Sequence, residues 1–397
     1  MGFDFTTILR RQDAVAAEEI PIPGAAVREG FSRIPMWVAD MSFATAPSIP
    51  EAIIRRAEHP TYGYFSPTDA YYNAILTWQR ERNGVQGLER EHIGYANGVL
   101  GGVMAAMSVL CSQGDSVLLH SPTYIGFTQV LRSSGYHIVH SPLRRDGEGV
   151  WRMDLADMER RIADNRIHTA ILCSPHNPSG RVWERWELEE AMALFERYEV
   201  RVISDEIWSD LLLDGHRHTP TQSVSAYARE HTAAFYAPSK TFNLAGLVGS
   251  YSIIYGAWLR ERTARAAELS HFNSMNVLSM HALTGGYSPE GAAWLEALLA
   301  VLSENARWAC AYIAEHFPGV EAIRPQGTYM LFLDCAGWLE RRGRTLDQLL
   351  RAGVEVGVIW QDGRDFEGPT HIRLNLALPK SLLEEAFHRL DRYVFNA

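Results

Sequence analysis

Six short runs rich in β-branched and aromatic residues, at 116–120, 136–140, 169–173, 200–204, 233–237 and 248–254, punctuate the middle of the chain. Between them the apolar residues recur at helical spacing. Val99, Val103, Ala106, Met107 and Leu110 form one such stripe, and Leu188, Ala191, Met192 and Phe195 another. Short strands that alternate with helices predict an α/β fold around a mainly parallel sheet. After Gly285-Gly286-Tyr287-Ser288-Pro289 the pattern changes to a long helix over 290–317, rich in Ala, Leu and Trp. Strands at 328–333 and 371–376 and a closing helix from Ser381 follow. The expected division is an N-terminal arm over 1–45, a large domain over 46–286 and a smaller α+β domain over 287–397.

The predicted strands end in informative residues. Tyr124 follows the run at 116–120, Asn177 the run at 169–173, Asp205 the run at 200–204 and Lys240 the run at 233–237. Parallel α/β sheets bind ligands beyond the carboxyl ends of their strands, so these four side chains are expected to converge. Lys240 is one of only two lysines in a chain that otherwise carries its positive charge as arginine. A lysine amine can lose its proton and condense with an aldehyde, which arginine cannot do. The other, Lys380, stands in an ordinary helix-start setting, Leu378-Pro379-Lys380-Ser381.

The set matches what pyridoxal 5′-phosphate requires of a protein. Lys240 would form the Schiff base and Asp205 would keep the ring nitrogen protonated. Asn177 would donate to the ring oxygen, and Tyr124 would stack on the ring face. Gly98, Val99 and Leu100, opening the helix after Asn97, would offer backbone N–H groups to the phosphate, with the Ser239 hydroxyl beside them.

Composition removes other classes. A net charge of -10 and no Lys/Arg-rich run argue against nucleic acid as a partner. No apolar run reaches membrane-spanning length. Four cysteines, Cys111, Cys173, Cys310 and Cys335, lie far apart without CxxC spacing, as expected of reduced thiols in a cytoplasmic protein rather than of a disulfide framework or a zinc site. His216 and His218, an isolated HxH pair, read as polar surface, so no metal is expected. The opening Met1-Gly2-Phe3-Asp4-Phe5-Thr6 fits an acylation pattern, but nothing polybasic follows to complete an anchor.

With these residues in view, the chain resembles the fold-type I aminotransferase superfamily and, within it, the MalY/PatB group of cystathionine β-lyase-like enzymes. The resemblance runs through Met36-Trp37-Val38-Ala39-Asp40-Met41, Tyr62-Gly63-Tyr64, Ser174-Pro175-His176-Asn177-Pro178, Ser204-Asp205-Glu206-Ile207, the Lys240 segment, Gln326-Gly327-Thr328-Tyr329 and Ile372-Arg373-Leu374-Asn375. It implies that Arg373 clamps a substrate carboxylate, that Tyr64 reaches the phosphate held by a second subunit, and hence a homodimer with shared active sites. It further implies a carbon–sulfur β-lyase, in which Lys240 removes the Cα proton of an S-substituted cysteine and a thiolate leaves Cβ, giving pyruvate and ammonia. The same groups permit transamination or a decarboxylation-coupled oxidative deamination. Relatives that serve as effector-binding parts of transcription regulators carry a DNA-binding segment ahead of the fold, whereas this chain opens on the family-like Phe3-Asp4-Phe5.

Three positions depart from the group. Trp208 replaces a usual His, Ser42 a usual Asp, and Gly126 a bulkier residue. The first two, with Ala39, are expected on the substrate side, and Gly126 is expected to widen the entrance.

Overall fold

A computed structural model describes residues 2–396; Met1, which opens the acylation-like pattern, lies outside the described residues. Its centre is a seven-stranded sheet. In chain order the strands are β1 (Ile93–Ala96), β2 (Ser116–Ser121), β3 (His137–Pro142), β4 (Thr169–Cys173), β5 (Arg201–Asp205), β6 (Thr232–Tyr236) and β7 (Ser250–Ile253). They lie side by side as β1-β7-β6-β5-β4-β2-β3, and only β7 runs against its neighbours.

Strands β4 and β6 are buried along their whole length, as a parallel strand covered on both faces must be. Side-chain alternation feeds two apolar layers. Val117, Leu119, Ile171 and Ile203 face one side, where helix α1 (Val99–Leu110) packs. Leu118, Ala170, Leu172 and Val202 face the other, against the helix Arg185–Arg197. Helix α1 comes very close to the sheet: a Cβ on its Gly102 would lie 2.3 Å from the Phe235 ring. The glycines at this helix start therefore serve packing as well as any ligand.

A second sheet of four strands carries β8 (Glu321–Ala322), β9 (Met330–Asp334), β10 (Gln361–Asp362) and β11 (His371–Asn375), in the order β8-β9-β11-β10. The long helix expected at 290–317 spans Pro289–His316, with Ser288 as its side-chain cap. Near the amino end, Ile34–Pro35 pairs in parallel with Val358–Ile359 as a separate two-stranded sheet, just ahead of β10 in the chain.

Several expected bounds shift. Strand β9 starts at Met330 rather than at 328, because Thr328 has φ +66°. Strand β3 starts at His137 because the Tyr136 amide still bonds Leu131 at the end of the preceding helix. Strand β7 starts at Ser250 because Val248 has φ +44°, outside any extended conformation. Strand β1, an edge strand whose middle residues are half-exposed, was not expected at all.

Candidate active site

Register places the ends of the central strands level. Cys173 pairs with Asp205, and Asp205 with Phe235, so the chain leaves β4, β5 and β6 at the same height. Asp205 ends β5 itself. Asn177 lies just beyond β4, and Lys240 sits in the one-turn helix Pro238–Thr241 beyond β6. Tyr124 caps the helix α2 (Ile125–Ser133) that follows β2. These four residues line one cavity of about 280 Å³. Gly98, Val99 and Leu100 form part of its wall at the start of α1, with Gly98 at φ +79°, and Ser239, Ala39 and Trp208 also line it.

The Lys240 Nζ donates to the Ala39 carbonyl at 2.8 Å and lies 5.7 Å from the centre of the Trp208 ring. Burial, helped by the charge of Arg373, pulls the lysine down from 10.5 to about 8, against the pull of Asp40 and Asp205. Asp205 moves the other way. Burial pushes it from 3.8 to about 7, because the Ile207 amide, at 3.1 Å, is its one hydrogen-bond donor.

Arg373 comes from β11 of the second sheet and is buried, with 3% of its surface exposed. Its Nη2 donates to the Trp37 carbonyl at 2.9 Å and to Gln361 Oε1 at 2.5 Å, and its Nη1 to Asn177 Oδ1 at 3.2 Å. The Phe366 ring lies beneath the guanidinium at 4.2 Å. Its Nε has no partner, and among the described residues it forms no ion pair. Burial lowers it to about 10. A surface salt bridge is thus not its role.

Trp208 is 2% exposed and meets Tyr329 edge to face at 4.8 Å, so it lines the cavity and also packs the core. The Tyr329 hydroxyl is buried without a partner. Ser42 is not part of the cavity wall; its amide bonds the Ala377 carbonyl. Tyr64 stands fully exposed between the helices Ser48–Ala57 and Asp69–Asn83. The HxH pair divides: His218 is buried 2.6 Å from Glu206, and His216 faces solvent.

Gly126 does not widen the entrance. A Cβ there would lie 2.4 Å from Tyr124 Cε1 and 3.0 Å from Leu100 Cδ1, so the missing side chain is space that the Tyr124 ring already fills.

Other contributors went unread in the sequence. Asn243 fastens the segment bearing Ala39 to the lysine loop: it accepts from the Met41 amide at 2.9 Å and donates to the Met41 and Phe43 carbonyls at 3.0 and 3.2 Å. Its place three residues after Lys240 was the available signal. Gln361, which aims Arg373, and Val248, whose backbone forms cavity wall at a positive φ, have no local signature. Asp40 pairs with Arg11 near the site.

Residues 34–390 match the family described as aminotransferase class I and II. The chain is similar to cystathionine beta-lyase PatB of Bacillus subtilis (strain 168), 32% identical over 360 residues that cover 90% of this chain and 91% of that protein. Similarity to protein MalY of Escherichia coli (strain K12) is 31% over 354 residues, covering 89% of each. The structure also superposes on a PLP-bound C-S lyase from Staphylococcus hominis, with a TM-score of 0.88, 26% identity and 99% of each chain covered.

Proposed function

Because the chain belongs to the class I and II aminotransferase family and is a pyridoxal-phosphate-dependent enzyme of fold type I, we propose that it is a carbon–sulfur β-lyase. It would cleave an S-substituted cysteine, cystathionine-like or bulkier, to a thiol, pyruvate and ammonia. The names borne by its relatives in Bacillus subtilis and Staphylococcus hominis support this choice of reaction.

The residues fit the cofactor by their chemistry. Asp205 is a buried carboxylate with one backbone donor and no fixed cation against it, which suits a protonated ring nitrogen. Lys240 offers an amine for a Schiff base, and Asn177 a side-chain amide for the ring oxygen. The Tyr124 ring suits the cofactor face. Gly98, Val99, Leu100 and Ser239 suit a phosphate. When bound, pyridoxal phosphate supplies an electron sink for charge released at Cα.

In this reading Arg373 holds the substrate carboxylate with the guanidinium edge that no acid of the chain occupies, which fixes Cα near Lys240. Lys240, with its amine held near neutrality, takes the proton from Cα. Trp208, packed on Tyr329, excludes water on the side where the sulfur substituent would lie, with Ala39 on the same side of the cavity. Tyr64, exposed beside Tyr62 and Phe65, reaches the phosphate held by a second copy of the chain, so the working unit is a homodimer.

The observation that carries the reading is one cavity lined by Lys240 and the buried Asp205, beside Arg373, which bonds the cavity-lining Asn177 at 3.2 Å; none of the three has an ion-pair partner among the described residues. The test incubates cofactor-loaded enzyme with a panel of S-substituted cysteines and no keto acid, following thiol and pyruvate together. Repeated equimolar release of both is expected. Turnover that needs a keto-acid acceptor would move the assignment to transamination, and carbon dioxide release with oxygen consumption would move it to oxidative decarboxylation.

A further inference from the structure

The amino ends of the sheet strands, remote from the catalytic cavity, gather three side chains that the proposed reaction does not use. Cys111 caps the carboxyl end of α1, Asp115 immediately precedes β2, and His168 immediately precedes β4. Strands β2 and β4 are paired neighbours, with Leu118 opposite Ala170, so their entrances lie side by side. One donor atom from each residue, the thiol sulfur, a carboxylate oxygen and a ring nitrogen, lies within 4.8 Å of the other two. We propose that Cys111, Asp115 and His168 bind a zinc ion, with a water molecule as the fourth ligand.

Geometry supports a tetrahedral ion. Asp115 Oδ2 and His168 Nε2 are 3.4 Å apart. Two ligands bound to zinc at about 2.0 Å at the tetrahedral angle stand about 3.3 Å apart, so this edge is already at binding distance. The sulfur, within 4.8 Å of both, has at most about 1.3 Å to close to the roughly 3.5 Å of a tetrahedral edge. Support from the next layer is also present: the other ring nitrogen, His168 Nδ1, is 3.3 Å from Thr169 Oγ1, the kind of partner that fixes the ring of a metal-bound histidine. Asp115 Oδ2 accepts from the Ser112 amide at 2.7 Å, which holds the carboxylate in place before any ion arrives.

The charges balance as well. One thiolate and one carboxylate neutralise a divalent ion, and the carboxyl end of α1, with its negative dipole, adds to the attraction. On binding, the S–H bond of Cys111 breaks, a zinc–sulfur bond forms, and the proton leaves to solvent. Access is open because His168 and Asp115 keep 47% and 37% of their side-chain surface exposed, while Cys111 at 9% supplies a sheltered sulfur ligand. No CxxC motif announces the site because Cys111 and Asp115 bound one loop, between α1 and β2, and His168 arrives from another, ahead of β4.

At its other end α1 offers Gly98, Val99 and Leu100 to the cavity, about 18 Å away for a helix of 12 residues. Zinc would tie the far end of that helix to the sheet without touching the reacting groups.

The test titrates the cofactor-loaded enzyme with cadmium, which reports a thiolate ligand by its ultraviolet charge-transfer absorption, and then with zinc as competitor. One equivalent of cadmium is expected to bind with that absorption, and zinc to displace it. Cys111→Ser should abolish the absorption. His168→Ala, at an exposed position, should leave the fold and the metal-free turnover unchanged, weaken metal binding at least tenfold and remove the rise in melting temperature that zinc gives the parent enzyme. No stoichiometric absorption, an absorption that survives Cys111→Ser, or unchanged affinity in His168→Ala would each overturn the proposal.

Discussion

Asp205 and Glu206 are consecutive, both buried, and treated in opposite ways by the fold. Glu206 accepts from Ser204 Oγ, the Thr221 amide, Tyr236 Oη and His218 Nε2, all within 3.0 Å. Burial pushes it up, but His218 and these donors together bring it below its ordinary value. Asp205 has one amide and rises to about 7. Two buried arginines repeat the contrast. Arg181 is fully engaged with Glu187, Glu184, Gln326 and the Trp151 carbonyl, whereas Arg373 has no acid and an idle Nε. A buried charge costs stability unless it is paired. Where folding pairs it the residue is structural, and where folding leaves it unpaired the partner is expected to be a ligand.

The most severe break in that pattern is Lys240→Ala. It removes the Schiff-base amine and the base together, and the base alone is worth about 10²–10⁴-fold. Pyruvate release should fall below detection while the fold survives, because the lost amine bonds only the Ala39 carbonyl. Full activity in this variant would remove Lys240 from the chemistry.

The paired carboxylates give the sharpest comparison. Asp205→Asn should cut turnover on the order of 10²–10³-fold, the scale of one lost electrostatic partner, and leave the fold at least as stable. Glu206→Gln breaks a satisfied buried network and should cost about 3–5 kcal/mol of stability, with a smaller effect on chemistry. Thermal melts and initial rates of both variants test this, and the reverse ranking would refute the division of roles. The sign of the pH dependence follows from the raised value. The folded protein without cofactor holds the Asp205 proton more tightly than the unfolded chain, so this contribution is full below about 3.8 and is lost as the pH rises through about 7. The melting temperature of cofactor-free Asp205→Asn should therefore gain on the parent between about pH 4 and about pH 7, then keep a constant lead.

Arg373→Lys keeps the charge and loses the planar fork. Hydrogen bonds to a charged group contribute about 1.5–3 kcal/mol, so KM should rise about 10–150-fold with a smaller change in kcat. An equal fall in kcat at constant KM would place the arginine in the chemical step instead.

Much of this site was legible because a parallel sheet delivers strand-end residues to one edge. Tyr124, Asn177, Asp205 and Lys240 each follow an apolar run, and the structure brings them to one cavity. Strand β4 was found to the residue, since a fully buried strand is a continuous apolar run. What escaped depends on tertiary context. Strand β1 has a Gly and a half-exposed Tyr at its centre and exists by pairing with β7. Gln361 and the Trp37 carbonyl matter only because the second sheet carries Arg373 to them. Gly126 was misread because a missing side chain looks like free space until the neighbouring ring is placed.

That glycine gives the smallest and most local effect. In Gly126→Ala the new methyl would lie 2.4 and 2.7 Å from Tyr124 Cε1 and Cζ and 3.0 Å from Leu100 Cδ1, so the tyrosine must swing off the position where it covers the cavity. Backbone strain is not involved, since Gly126 lies inside α2 and does not have a positive φ. If the Tyr124 ring stacks on the cofactor, losing the stack should cost about 0.5–1.5 kcal/mol, or about two- to tenfold in cofactor affinity. Cofactor titration followed by tyrosine and tryptophan fluorescence measures it, with Tyr124→Leu as the limit in which the ring is gone. Equal affinities in Gly126→Ala and the parent, alongside a weakened Tyr124→Leu, would mean that the ring finds its stacking position without the space that Gly126 leaves.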